Sequence, residues 1–127
     1  MNNVVVTRHP GTMEFLRRAL SEEHGVEFKF NRDGNLNADN YLTIPVTASA
    51  TVDAVRGKIV WGNLPLHLAC HAAAVVAIEF AGQPPRGAEY SYEDMVAAGA
   101  KLVRYGVLEL PAGETRDSHL DAIVQGG

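Results

Sequence analysis

The feature that most constrains the fold is a short apolar run that ends at a turn signal and leads into a helical pattern. It occurs three times in 127 residues. The runs begin at Val4, Lys58 and Val75, and the first ends abruptly at Pro10-Gly11. Strands that alternate with helices are typical of a parallel sheet, because a right-handed crossover needs a covering helix. The sequence therefore predicts an α/β fold: a mostly parallel sheet with covering helices.

Local patterns predict where these elements begin and end. Pro45 cannot donate a hydrogen bond to a sheet, so the run that contains it is expected to be an edge strand or an irregular one. Ser91 with Asp94 resembles a helix capping box. The predicted elements are a helix over residues 12–23 capped by Thr12, a half-buried strand from Val26 to Phe30, a loop over 31–40, an edge strand over 42–48, a helical turn near Val52 and Val55, a helix from Pro65 to Ala73 or Ala74, a third helix from Ser91 to Tyr105 and a short strand over 107–110.

Composition bounds the size and the environment of the protein. The length favours one domain, which we expect over residues 1–110, followed by a polar, flexible tail over 111–127. Cys70 is the only cysteine, which excludes a disulfide framework and favours a reducing compartment. No basic segment precedes an apolar run at the amino end, and no stretch has about 18 apolar residues. We expect a soluble, cytoplasmic protein that does not contact a membrane.

The parallel arrangement places the turns that follow the strands along one edge of the sheet. There, we expect Arg8 and His9 to lie close to Gly62-Asn63 and to Arg86-Gly87. An arginine fork binds phosphate oxygens, and an imidazole with a pKa near 6.5 can transfer a proton at neutral pH. The net charge of −4 argues against a long nucleic acid but allows a small anionic ligand in a pocket. The alternative is that these residues only cap helices and contact solvent.

A metal site is a second possibility. His67, Cys70 and His71 share one face of the predicted second helix, and a histidine pair four residues apart can bind zinc. A zinc protease motif would need glutamate at position 68, where this chain has leucine. Packing against the rest of the protein is the simpler interpretation, and we predict no metal and no cofactor.

The beginning of the chain is also similar to that of the histidine phosphatases, which start with a strand followed by Arg-His-Gly-x-Thr. Here Pro10 separates His9 from Gly11, the chain is much shorter than that family, and no later His-Gly pair supplies a second catalytic histidine. A phosphomonoesterase is therefore a distant alternative.

Three motifs in order resemble the small stand-alone CRISPR-associated proteins called the Csx-sixteen family. The first is Val-Thr-Arg-His-Pro-Gly at 6–11, and the second is Gly-Asn-Leu-Pro-Leu-x-Leu-Ala at 62–69. The third is Pro-x-Arg-Gly-x-Glu-x-Ser-x-Glu-Asp-Met at 84–95, followed by Gly-Ala-x-Leu. The resemblance covers residues 4–110. The chain departs from the family pattern at Thr7, Thr12 and Asn63.

This resemblance implies a type III CRISPR accessory protein with a Rossmann-like fold, related to the domains that sense cyclic oligoadenylates. Such a protein would be a ring nuclease that cleaves cyclic tetra-adenylate and ends antiviral signalling. A ribose 2′-OH would attack its neighbouring phosphorus and leave a 2′,3′-cyclic phosphate, a reaction that requires no metal. A module that binds the messenger without cleaving it is the alternative.

The resemblance also assigns roles to residues. Arg8 and Arg86 would hold phosphate, His9 would move a proton or support the leaving oxygen, and Asn63 would fix the scissile group. The other expected substrate contacts are Thr7, Pro10, Gly11, Thr12, Gly62, Leu64, Pro65, Gly87 and Glu89. Because the four-fold ring contains a two-fold axis, we expect a homodimer that binds one ring across its interface.

Overall fold

The first strand is paired on both sides within a mostly parallel sheet, the type of sheet that the sequence predicts. A computed structural model describes residues 2–39, 41–83 and 91–125. Its strands are β1 (Asn3–Val6), β2 (Phe28–Phe30), β3 (Leu36–Ala38), β4 (Thr43–Ile44), β5 (Val46–Thr47), β6 (Ile59–Trp61), β7 (Ala74–Phe80) and β8 (Ala100–Tyr105). Its helices are α1 (Pro10–His24), α2 (Val52–Val55), α3 (Leu66–Ala69), α4 (Tyr92–Ala97) and α5 (Arg116–Gln125).

The main sheet has five strands in the order β5-β1-β6-β7-β8. Strand β1 is parallel to both β5 and β6, and β6 is parallel to β7. Only β8 runs antiparallel, against β7. The carboxyl ends of β1, β6 and β7 therefore share one edge, and the predicted α/β class with covering helices is confirmed.

Two apolar clusters lie on opposite faces of this sheet. On one face, Leu16 and Leu20 of α1 pack with Val5, Val76 and other residues, and Phe28 and Leu36 of the small sheet and Met95 of α4 join the same cluster. On the other face, Val55 of α2 packs against Val4 and Val60. Val4 and Val5 are 3% and 1% exposed, which explains why β1 is apolar at successive positions.

A second, antiparallel sheet of β2, β3 and β4 corrects the predicted loop over residues 31–40. Asn31 closes the hairpin with its side chain, which accepts from the backbone N–H groups of Asp33 and Asn35. Residues 36–38 then pair with β2, so the loop is shorter than predicted. Pro45 separates β4 in this sheet from β5 at the edge of the main sheet, and its carbonyl accepts from Val5 N–H. The edge position expected from Pro45 is confirmed.

Helix α1 begins two residues earlier than predicted. Pro10 occupies its first turn, His9 is the N-cap, and the helix ends at Gly25 in a left-handed conformation. Thr12 is therefore not the cap. It lies inside the helix, where its hydroxyl is directed to the sulfur of Met95 at 3.8 Å. Proline is well suited to the first turn because its missing N–H has no partner there in any case.

Helices α3 and α4 are shorter than the sequence predicts. Helix α3 starts after Pro65 and has four residues. It ends before the predicted Ala73 or Ala74 because β7 already pairs with β6 at Ala74. The capping box of Ser91 and Asp94 is confirmed, but α4 ends at Ala97. Gly99, with φ +75°, reverses the chain, and residues 100–105 form β8 where a helix was predicted.

The end of the chain also differs from the prediction. Residues 107–110 form no strand, and α5 is longer than the one or two turns expected at Leu120–Val124. No helix in the described part of the chain is both long enough and apolar enough to cross a bilayer.

Candidate functional site

A pocket of about 350 Å³ opens at the edge where β1, β6 and β7 end. Three of the residues predicted to be catalytic or to bind phosphate meet there: Arg8 and His9 follow β1, and Asn63 follows β6. The pocket is lined by Val6, Thr7, Arg8, His9, Thr12, Ala48, Asn63, Ile78, Phe80 and Met95. The predicted convergence of the first two turns is therefore confirmed by geometry.

The turn from Thr7 to His9 is shaped by one buried hydroxyl. Thr7 is 9% exposed, and its Oγ1 accepts from the backbone N–H of His9 at 3.2 Å. The Thr7 N–H donates to the carbonyl of Thr47 in β5 at 3.0 Å. These two bonds bend the chain as it leaves β1, so that Arg8 and His9 both border the pocket.

Arg8 is exposed, yet its guanidinium is held in place. Its Nε donates to the carbonyl of Ala48, just beyond β5, at 3.2 Å. An arginine held through Nε still presents its two Nη groups, each of which donates hydrogen bonds. The edge strand therefore orients a fixed positive charge at the mouth of the pocket.

The first turn of α1 lies beside this charge. Its first hydrogen bond runs from Met13 N–H to the His9 carbonyl, so the N–H groups of Gly11 and Thr12 have no partner within the helix. Helix N-termini favour anions. Together with Arg8, this end of α1 makes the pocket electrostatically suited to a negatively charged group.

Gly62 brings β6 unusually close to β1. A Cβ atom on Gly62 would lie 2.2 Å from the carbonyl oxygen of Val6, and the backbone has φ +134°. Only glycine fits at such an approach. Gly62, which was predicted as a substrate contact, thus has a packing role: it sets the distance between β6 and β1 at this edge.

Asn63 extends the sheet past the end of β6. Its Oδ1 accepts from Ile78 N–H at 2.7 Å, and its Nδ2 donates to the Ile78 carbonyl at 3.2 Å. Its amide therefore takes the place of a backbone partner for β7. It does not cap α3, whose N-cap is Pro65.

The other predicted contacts are distributed more widely. Pro10 and Gly11 border a separate hollow between α1 and α4, with Tyr92. Leu64 packs in the cluster beneath α2, and Pro65 is exposed. Neither residue lines the pocket. The predictions for Arg86, Gly87 and Glu89 lie outside the described residues.

Sequence reasoning missed the apolar part of the pocket. Val6 and Ala48 border it near the strands, whereas Ile78, Phe80 and Met95 form its inner wall. Alternation along β7 could have identified Ile78 and Phe80, because residues two apart lie on one face. Nothing in the sequence indicated Met95, which reaches the site because α4 packs against α1.

A charged network stabilises α1 beside the pocket. Glu14 accepts from Arg17 at 2.5 Å and from Arg18 at 2.9 Å, and Arg18 lies 4.0 Å from the ring centroid of Tyr92 in α4. The hydrogen bond from Arg17 lowers the pKa of Glu14 from 4.5 to about 2, against the opposing effect of desolvation. The network joins α1 to the helix that supplies Met95.

The alternative metal site has no support from the geometry. Within residues 2–39, 41–83 and 91–125, no three histidine, cysteine or acidic side chains lie close enough to bind a metal ion. Helix α3 ends before Cys70 and His71, so the predicted helical face does not continue that far. Glu79 of β7 accepts a hydrogen bond from the Tyr105 hydroxyl on the side of β7 away from Ile78.

Comparison with known proteins identifies a family. The model of a family described as "Putative CRISPR-associated protein (Cas_VVA1548)" matches residues 4–108. No curated protein and no solved structure matches the chain.

Proposed function

This chain belongs to the CRISPR-associated protein family Cas_VVA1548, and from that premise we propose that it is a ring nuclease acting on cyclic tetra-adenylate. In this proposal it is a member of the Csx-sixteen group and switches off type III CRISPR signalling. The observation that carries the proposal is the pocket at the sheet edge, which combines Arg8, His9 and the start of α1. A cation, an imidazole and a helix N-terminus are a combination that suits a phosphodiester.

The proposed reaction is an internal transfer. The ribose 2′-oxygen bonds to the adjacent phosphorus while the bond from phosphorus to the next 5′-oxygen breaks, which leaves a 2′,3′-cyclic phosphate and a 5′-hydroxyl. One proton leaves the 2′-OH and one reaches the 5′-oxygen. Arg8 stabilises the charge on the phosphoryl oxygens, and His9 moves a proton. Positioning supplies the rest of the acceleration.

The size of the pocket supports a receptor made of two copies. A volume of about 350 Å³ is at the lower end of ligand pockets and suits one nucleotide better than a ring of four. In a two-fold dimer, each protomer would hold one scissile phosphate of the ring. Sedimentation as a monomer with ligand bound would contradict this part of the proposal.

The experiment that tests the proposal is incubation of the protein with cyclic tetra-adenylate in EDTA, followed by chromatography of the products. We expect linear products that end in 2′,3′-cyclic phosphate. Product that forms only after manganese is added would contradict the metal-independent mechanism. Release of inorganic phosphate from an aryl phosphate would favour the phosphomonoesterase instead.

A binding module that does not cleave the ring is the second candidate. Among the lining residues that the structure describes, His9 is the only histidine, and the amide of Asn63 already bonds to β7. Tight binding with an unchanged ring would favour this candidate. If the protein cleaves the ring, the variant His9→Ala tests the role of His9. A decrease in cleavage rate of less than tenfold, about 1.4 kcal/mol in activation free energy, would mean that His9 positions the substrate and does not transfer a proton.

A further inference from the structure

One face of the main sheet is left open beside its antiparallel edge. Val76 and Ile78 of β7 and Leu102 of β8 point to the cluster beneath α1. The alternate residues of the same strands therefore point to the opposite face. There, helix α2 packs over Val4 and Val60 of β1 and β6. The open face, as we call it, consists of Ala77, Glu79, Lys101, Val103 and Tyr105.

The exposure of these residues shows that the open face is incompletely covered. Ala77 and Val103 are half-buried, and Tyr105 is 44% exposed. Strand β7 is also parallel to β6, and strands in parallel pairs are normally covered on both faces. Within residues 2–39, 41–83 and 91–125, the apolar cluster on this side of the sheet reaches Val4 and Val60 but includes no residue of the open face.

Helix α5 carries an apolar stripe that is exposed in a single copy. Leu120, Ile123 and Val124 follow helical spacing and form one stripe, and they are 37%, 59% and 80% exposed. Its start is fixed by reciprocal bonds between Thr115 and Ser118. A ten-residue helix is marginal in water unless its apolar stripe packs. Helix α5 also lies beyond residues 4–108, the part matched by the family model.

We propose that α5 of one copy packs on the open face of a second copy, and that the exchange is reciprocal. The dimensions agree, because a helix about 10 Å wide covers two strands that lie about 4.8 Å apart. Charges agree as well: the open face carries Glu79 and Lys101, and α5 carries Arg116 in its stripe with Asp117 and Asp121 beside it. The inference rests in part on the proposed function, which calls for a two-fold receptor.

The first test measures the oligomeric state of the full chain by sedimentation. We expect a dimer for the natural sequence and at least a tenfold higher dissociation constant for Ile123→Asp with Val124→Asp. These side chains are exposed in a single copy, so the fold should tolerate the change. Tyr41→Asp is the control, since Tyr41 is 97% exposed on the small hairpin. A monomeric natural protein, or a dimer unaffected by the two substitutions, would overturn the proposal.

A second test distinguishes exchange between copies from folding back within one copy. In a Cys70→Ser background, Ala77→Cys and Ile123→Cys are combined and the protein is oxidised. We expect a covalent dimer on a non-reducing gel. A disulfide within one chain, or no disulfide, contradicts exchange. Ring cleavage is measured separately: a dimer of this kind without cleavage refutes only the proposed function, and cleavage by a protein without this interface refutes only the inference.

Discussion

Arg8 shows how one residue joins an edge strand to the proposed chemistry. Its Nε donates a hydrogen bond to the Ala48 carbonyl, so the two Nη groups can donate to a ligand. A lysine at this position would keep a positive charge but would lose both the anchor and the planar fork. Comparing lysine with alanine at position 8 therefore separates the effect of the positive charge from the effect of the arginine's geometry.

We predict that Arg8→Ala lowers single-turnover cleavage of cyclic tetra-adenylate roughly 100-fold or more, as expected when a donor to a developing charge is removed. Arg8→Lys should recover part of this loss. Arg32→Ala, at an exposed position in the hairpin, is the control and should leave the rate unchanged. A rate for Arg8→Ala within threefold of the natural protein would show that Arg8 does not hold the phosphate.

Glu14 leads to a prediction about acid stability. Its pKa is lowered to about 2 in the folded protein, chiefly by the hydrogen bond from Arg17. A lowered carboxyl pKa stabilises the fold above the unfolded value of 4.5, and this contribution is lost as the pH falls toward 2. Because the pair is partly exposed, we expect Glu14→Gln to cost about 1 kcal/mol at pH 7.

Urea unfolding at pH 7 and pH 3 checks this expectation. The difference between the natural protein and Glu14→Gln should narrow at pH 3. Glu22→Gln, an exposed change on the same helix, should show no such narrowing. A difference that is constant with pH would mean that the ion pair contributes nothing through ionisation.

At the scale of elements, the approach of β6 to β1 depends on Gly62. Gly62→Ala places a methyl group against the Val6 carbonyl in a backbone conformation that alanine avoids, so we predict a loss of roughly 2–3 kcal/mol of unfolding free energy. Gly57→Ala is the matched control: Gly57 also has a positive φ, +68°, but its Cβ would contact nothing. Thermal unfolding of the two variants should rank Gly62→Ala as the less stable. Equal stabilities would contradict a role for close approach.

Asn63 tests whether a predicted catalytic residue is structural. Asn63→Asp keeps an acceptor for Ile78 N–H but removes the donor to the Ile78 carbonyl, so we expect a loss of about 1–3 kcal/mol in unfolding free energy. We therefore expect the cleavage rate, measured well below the unfolding temperature, to decrease together with the unfolding free energy. If cleavage is lost while stability is unchanged, Asn63 acts on the substrate directly.

The elements that could be predicted are those indicated by a local sequence pattern, such as an apolar run that ends at a turn signal. The parallel order of β1, β6 and β7 follows from buried strands that alternate with helical segments. In contrast, Met95, Ala98, Leu102 and Tyr105 have helical spacing, yet the last two belong to β8. Pairing with β7 outweighed that periodicity once Gly99 had reversed the chain. The same competition shortened the helix predicted from Pro65 to Ala73 or Ala74: it ends at Ala69, and sheet pairing begins at Ala74.

At the scale of the whole molecule, the sequence located the polar half of the pocket but not its apolar half. Arg8, His9 and Asn63 follow strand ends, so the topology alone brings them to one edge. Ala48 and Met95 arrive through tertiary contacts of β5 and α4, which no local pattern encodes. The family match over residues 4–108 confirms the CRISPR-associated part of the resemblance seen in the motifs.

The two-residue strand β5 has a consequence for the dynamics of the site. It pairs with β1 across about 40 residues of intervening chain, and it contributes only Val46 and Thr47 to the pairing. Such a short edge opens at a lower free energy than the centre of the sheet. The amide hydrogen of Thr7, bonded to Thr47, should therefore exchange with deuterium faster than the amides that join β1 to β6. Each opening would also release the Ala48 carbonyl from Arg8, so the rate at which β5 opens would set how long the arginine keeps its orientation.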